Sequence, residues 1–376
     1  MLLSHQQARL YQLVADGIVH MTWAPEVMER PAPVANSRTR CDRVRGMLLG
    51  LAIGDALGNT SESMLPFQRK SKYGEIRYYL PNRHSDNRRV GLPSDDTQLA
   101  FWVLEHLLEH RRVEPDTLAA LFCSRRIFGI GSTMHAFIQE WRRTRDWRRS
   151  AQTERAASNG ALMRIAPVVV QHTADGSSDL WADAVLGTAV THNDPAAIAS
   201  SVAFVGLLAE LLSIDSTPTP EWWVETFLRR AEPVEGNKTE YRARGAPMAQ
   251  SWSGSLCQFI EKFVLASSSL TTLDAAENWH SGAYLLETVP TVLHILMHHS
   301  SDPEEAIVRA VNDTKDNDTI GAIVGAAVGA LHGESALPRR WVDGLLGRTV
   351  ADVDDRKLFG LIASAEGDTN RQPDEP

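Results

Sequence analysis

The chain has 376 residues, 43% of them hydrophobic, which is enough for one large core or two domains. Its formal net charge of −9 excludes the basic face that a general nucleic-acid binder needs, though not a small anionic ligand held by local groups. Cys41, Cys123 and Cys257 lie far apart and form no CxxC, so neither a disulfide framework nor a structural zinc site is expected. Reduced thiols point to a cytoplasmic location.

At the N-terminus, MLLSHQQARLYQ lacks the charged region and long apolar run of a signal peptide. Ser4 and Gln7 have capping-box spacing, Leu10, Leu13, Val14 and Ile18 share one face, and Gly17 supplies a stop, which together predict a short helix. Residues 24–38 contain Pro25, Pro31 and Pro33 and read as a linker. Helical spacing then runs through residues 42–58, 95–110, 194–212, 221–230, 283–299 and 302–311. Asp194-Pro195 and Asp302-Pro303 read as an N-cap followed by proline in the first helical position. EIRYYL, residues 75–80, is the best strand candidate. The most apolar stretch, residues 320–331, is too short for the roughly 20 residues of a membrane span. EGDTNRQPDEP, residues 366–376, has a disordered composition. The pattern predicts one all-α domain over 42–350. It is preceded by an extension and linker over 1–41 and followed by a C-terminal segment, 351–376, with a disordered tail.

Two glycine series echo each other: Gly46, Gly50, Gly54 and Gly58, then Gly321, Gly325 and Gly329. Residues four apart share a helix face, and glycine in a helix interior costs about 1 kcal/mol relative to alanine. A bare stripe of this kind suits close approach of another backbone. Carboxylates accompany both series. Asp316, Asp318 and Thr319 open the second; Asp55 sits beside the first; Ser94, Asp95, Asp96 and Thr97 open another helix. Any one of these groups could be helix capping alone. Together they form a set of oxygen ligands without His or Cys, suited to a hard cation such as Mg²⁺ or Mn²⁺. Four carboxylates from two segments suffice to bridge two ions.

The ordered motifs RGMLLGLAIGDALG…E (45–62), SDDT (94–97), SNGALMR (158–164), TH.DP (191–195) and DNDTIGAIVGAAVGALHG (316–333) resemble the ADP-ribosylglycohydrolase family, including its dinitrogenase reductase-activating members. The resemblance implies an all-α domain with a dinuclear Mg²⁺ or Mn²⁺ cleft. On it, Ser94, Asp95, Asp96, Asp316, Asp318 and Thr319 are the metal ligands. Glu62 stands at the cleft mouth, and either Glu62 or Asp96 stabilises the oxocarbenium or acts as general base. Asn159, Gly160, Arg164 and His192 line the ribose and phosphate side, while Gly129 and Gly131 lie near the diphosphate and adenine. The implied activity is hydrolysis of ADP-ribose from a protein side chain, arginine first. Some bacterial relatives serve as immunity proteins against ADP-ribosylating toxins, which makes such a transferase a candidate partner for residues 1–41. The alternatives are a non-catalytic ADP-ribose or toxin-binding protein and a dinuclear-metal phosphoesterase on ADP-ribose derivatives.

Two other patterns compete. His106, Glu109 and His110 fit HxxEH but also a solvated helix face. WRRTRDWRR, residues 141–149, reads as solvated arginines with partly buried tryptophans.

Overall fold

The computed structural model describes residues 3–25, 29–34, 37–172, 174, 176–236, 239–244, 251–350 and 354–369. Helices dominate, as expected: α1 (His5–Ala15), α2 (Ser37–Asn59), α3 (Pro66–Tyr73), α4 (Asp95–His110), α5 (Pro115–Ser124), α6 (Ser132–Thr144), α7 (Trp147–Ser150), α8 (Asp179–Ala189) and α9 (Pro195–Leu211). After these come α10 (Pro220–Glu235), α11 (Leu256–Phe263), α12 (Thr272–Trp279), α13 (Leu285–His299), α14 (Pro303–Asp313), α15 (Asn317–His332), α16 (Arg339–Gly344) and α17 (Lys357–Thr369). Among the described residues, the one two-stranded ladder pairs Tyr241–Arg242 with Ser253–Gly254.

Local chemistry explains many of the boundaries. Asp194 caps α9 by accepting from the Ala196 and Ala197 amides, and Asp302 caps α14 by accepting from Glu305, each with proline following. The EIRYYL segment is not a strand. Its backbone is satisfied by side chains instead: Asn312 exchanges hydrogen bonds with both the N–H and C=O of Ile76, and the Trp341 indole donates to Arg77 O. With the Ile76 and Arg77 groups taken, neither residue has a carbonyl left for a ladder.

The glycine stripes face each other along an antiparallel seam between α2 and α15. A Cβ on Gly50 would lie 2.1 Å from Gly325 O, one on Gly54 1.9 Å from Gly321 O, and one on Gly46 2.4 Å from Gly329 O. The two backbones touch, and no other residue type fits between them. α15 is buried from Asn317 to Leu331, so this pair forms the spine of the core. The seam runs toward the N-terminus of α15, where Gly58 lies against Asp318.

The N-terminal segment docks on its own chain. Leu10 and Leu13 are buried, Gln6 donates to Val113 O and to Asp183, and Asn193 holds both Ile18 O and the His20 amide. The expected Ser4–Gln7 capping box is present, and Gly17 adopts φ +69° just past the helix end. Residues 26–28 and 35–36 of the proposed linker lie outside the described residues, as do 370–376 of the proposed disordered tail. Residues 366–369, expected to be disordered, instead extend α17, which buries Leu358, Ile362 and Ala365 against the core. His106 of the HxxEH pattern is not on a solvated face: it is buried, accepts from the Glu114 amide and lies 4.6 Å from the His110 ring, whereas Glu109 is exposed. The arginines of 141–149 are exposed, as expected, whereas Trp141 and Trp147 are buried more completely than the partial burial expected of them.

Candidate metal centre and its cleft

The spine carries acidic residues to one point. Asp55, fully buried on α2, reaches the start of α4 and accepts from the backbone N–H of Ser94 (2.9 Å) and Thr97 (3.0 Å) and from the Thr97 hydroxyl. It thereby satisfies free amides at the α4 N-terminus. Ser94 Oγ accepts from the Asp96 amide and donates to Asp96 Oδ2 at 3.0 Å; the Thr319 hydroxyl donates to Asp96 Oδ1 at 2.9 Å. At the start of α15, Asp316 donates its N–H to Ser281 O, and its carboxylate accepts from Asn159 Nδ2 at 2.6 Å. Asn159 is fixed in turn by donating to Thr288 Oγ1. Carboxylate oxygens of Asp55, Asp96 and Asp318 lie within 4.8 Å of one another.

Burial pushes the carboxyls of Asp95, Asp96 and Asp318 well above the usual range, and repulsion from neighbouring carboxylates adds to it. Burial also raises Asp55 and Asp316, against hydrogen bonds that favour their charged forms. The cations among the described residues that act on this group are Lys315 beside Asp316 and Arg69 near Asp318, too few for five carboxylates. Such a set is stable in charged form only around a cation, and its oxygen donors suit a hard divalent ion. Asp95, Asp96, Asp316 and Asp318 with Thr319 line the cleft and would hold it; Ser94 and Thr319 both donate to Asp96, but Ser94 does not line the cleft, and Asp55 is turned onto the α4 amides.

A cleft of ≈ 170 Å³ lies over these groups. It brings together Asp95, Asp96, Asp316, Asp318 and Thr319 with Glu62, Gly129, Gly131, Asn159, Gly160 and His192. Glu62 is exposed on one side at the mouth; partial desolvation by the cleft wall, then repulsion from Asp316 and Asp55, raises its pKa. Gly129 has φ +48°, and a Cβ there would lie 3.1 Å from Asp95. His192 is buried, held between Thr191 Oγ1 (2.7 Å) and Ser158 Oγ (3.2 Å), and kept neutral by burial and by Arg164. An adjoining cleft of ≈ 510 Å³ shares Glu62, Ala283 and Asp316 and adds Arg244, Tyr284, Glu287 and Lys315.

Arg164 differs from its expected place on the phosphate side. It is fully buried, donates to Gly160 O, Gly187 O and Thr191 Oγ1, and sits 4.8 Å over the Phe122 ring. It braces the 158–164 loop from behind rather than facing the cleft. The role of Asp55 in shaping the SDDT turn, the contact of Ser158 with His192 and the grip of Thr288 on Asn159 escaped the sequence reading. Only Asp55 carried a visible signal, lying next to Gly54 in the stripe.

Acidic side chains gather at the base of an all-α cleft with a glutamate at its mouth, an arrangement that would suit a hard cation. A model of the ADP-ribosylglycohydrolase family matches residues 36–368, and the chain belongs to that family. It is 25% identical to the ADP-ribosylarginine hydrolase Tri1 of Pseudomonas putida, over 90% of this chain and 83% of that one. The ADP-ribosyl-[dinitrogen reductase] glycohydrolase of Rhodospirillum rubrum is 24% identical, over 86% and 97% of the respective chains. A solved ADP-ribosylglycohydrolase-related protein complex shares the fold with TM-score 0.65 at 24% identity, covering 88% of this chain and 99% of that one. The chain is thus an enzyme that removes ADP-ribose by hydrolysis. Among the described residues no helix is long and apolar enough to cross a membrane.

Proposed function

We propose that the enzyme cleaves the N-glycosidic bond between ADP-ribose and a protein arginine, using two Mg²⁺ or Mn²⁺ ions held by Asp95, Asp96, Asp316, Asp318 and Thr319. The observation that carries this reading is the convergence of the α4 and α15 N-termini at one cleft. When bound, such ions lower the pKa of water and orient ribose hydroxyls. Asn159 holds Asp316 in place, and Asp55 keeps the SDDT turn in the shape that presents Asp95 and Asp96. Of the two candidate bases, Glu62 is favoured. Both Asp96 oxygens already accept hydrogen bonds, whereas no hydrogen bond to the Glu62 carboxylate occurs among the described residues. Glu62 takes the proton of the attacking water as the anomeric C–N bond breaks. Gly129, Gly131 and the first turn of α6 line the same cleft, and the uncapped amides at that helix start suit the diphosphate.

Arginine is supported by the likeness to the ADP-ribosylarginine hydrolase Tri1. Cys123 and Cys257 are thiols outside any disulfide, which favours a reducing cytoplasm. A role in immunity against an ADP-ribosylating toxin would use the same chemistry, but α1, the segment expected to reach such a partner, has its apolar face turned onto its own chain. The test is release of free ADP-ribose from ADP-ribosyl-arginine, ADP-ribosyl-serine and O-acetyl-ADP-ribose with Mg²⁺, Mn²⁺ or Zn²⁺. Turnover of the arginine conjugate with Mg²⁺ or Mn²⁺ is expected. Appearance of AMP in place of ADP-ribose would establish the phosphoesterase instead.

A further inference from the structure

Six large hydrophobic side chains are exposed among the described residues, and two of them, Leu65 and Phe67, follow two and four positions after Ser63, which lines the outer cleft. Phe67 is the most exposed of the six, at 66%. Exposed apolar residues scattered singly need no explanation; a pair beside a catalytic cleft does. The segment follows Glu62 and Ser63, which line the outer cleft, and Ser63 adopts φ +67°, a left-handed turn that sets the course of the chain into α3.

α3 is also firmly placed. Arg69 is fully buried and donates to Ser61 Oγ, Met64 O, Asn312 O and Thr314 O, the last lying two residues before Asp316. One face of α3 is thus tied to the base of the metal site. The opposite face presents Phe67, Lys70 and Ser71, which share a side at helical spacing and are all exposed. The sequence PFQRKSKY carries Arg69, Lys70 and Lys72 and no acid, a local excess of positive charge on a chain of net charge −9.

We propose that Leu65, Phe67 and Lys70 form a docking lip for the protein part of the substrate: a segment in which an apolar side chain and a carboxylate flank the ADP-ribosylated residue. The proposal rests on the hydrolase reading above. A protein-linked ADP-ribose entering the cleft must leave its polypeptide at the mouth, and these residues follow the mouth residues Glu62 and Ser63 directly in the chain. A rigid aromatic anchor with a nearby cation suits recognition of such a segment. The lip contributes to binding and not to bond cleavage, so its effect falls on KM.

Two peptides serve as probes, each with one ADP-ribosyl-arginine, the first flanked by leucine and glutamate and the second by glycine and serine. ADP-ribosyl-agmatine, which has no polypeptide, is the control. The variants are Leu65→Ser with Phe67→Ser, and separately Lys70→Glu. Both are expected to raise KM for the leucine–glutamate peptide about tenfold, leave kcat unchanged, and leave ADP-ribosyl-agmatine unaffected. Unchanged KM for that peptide, or equal losses on peptide and agmatine, would overturn the proposal. Anisotropy of the same labelled peptide, measured in chelator where no turnover occurs, judges the lip separately from catalysis: equal binding by wild type and variants also overturns it. If wild type releases ADP-ribose from none of the three, the hydrolase reading fails, and the anisotropy comparison still decides the lip.

Discussion

The glycine seam permits a sharp test. Replacing Gly50 by alanine would place a Cβ 2.1 Å from Gly325 O and 2.8 Å from Gly325 C, where ordinary contact begins at 3.4 Å. The obstacle is backbone, which cannot rotate away, so α2 and α15 must part by more than 1 Å beside the clash. Overpacking of a core costs about 1–3 kcal/mol, and more when no side chain can move. Helix propensity works the other way, favouring alanine by about 1 kcal/mol. The clash wins, and a net loss of about 2 kcal/mol is expected in denaturant unfolding. Gly360→Ala is the control: this glycine also lies within a helix, α17, but a Cβ added there would meet nothing within 4 Å, so the variant should gain up to about 1 kcal/mol. The same displacement separates Asp55 on α2 from Asp318 on α15. Mn²⁺ affinity should therefore fall as well, more for Gly54→Ala, near the acidic end of the seam, than for Gly46→Ala at the far end. Calorimetric titration with Mn²⁺ measures this. A Gly50→Ala protein as stable as wild type, with unchanged Mn²⁺ affinity, would refute the view that backbone contact sets the geometry of the site.

Asp316→Ala should abolish ADP-ribose release and most of the Mn²⁺-induced rise in Tm while leaving helical circular dichroism intact; full activity at saturating Mg²⁺ and Mn²⁺ would refute its role as a ligand. Asp55→Ala removes the acceptor for the Ser94 and Thr97 amides and should cost about 2–4 kcal/mol in denaturant unfolding, since buried donors are left unpaired. Leu10→Ala, which opens a cavity where α1 meets the core, should destabilise by about 2–4 kcal/mol by the same measurement; no loss would mean that α1 is detached in solution. Glu287 is pushed up to about 7, chiefly by burial. Because its folded pKa lies above the unfolded value, the folded chain holds the extra proton in between, and stability is lost as pH rises from about 4.5 through 7. Glu287→Gln should remove that part of the slope, seen as a difference between the Tm–pH profiles of variant and wild type.

Much of this protein was legible in one dimension because the relevant forces are local. The caps at Ser4, Asp194 and Asp302 act on amides two or three residues away, so residue type and spacing suffice to mark where helices begin. The glycine stripes announced a close backbone contact because a face without Cβ has few other uses. The paired acidic helix starts announced a shared acidic site, because separate helix caps would not need so many carboxylates. Long-range partners were not legible. EIRYYL has the composition of a strand, but Asn312 and Trp341, more than 200 residues away in the chain, take its backbone groups, and no sequence window contains that competition. Arg164 sits in a family motif, yet whether its guanidinium faces the cleft or braces the loop depends on Thr191 and Gly187 arriving behind it. Asp55 is one carboxylate among many until the seam carries it to the α4 N-terminus. The apolar stripe of α1 shows that the helix must bury a face, and only folding shows that the face lies against its own chain. Hydrogen bonds and helical periodicity act over a few residues and leave a mark in the sequence. The choice of which distant surface meets which is made by close packing of the whole core, and it was this packing that decided the geometry of the site.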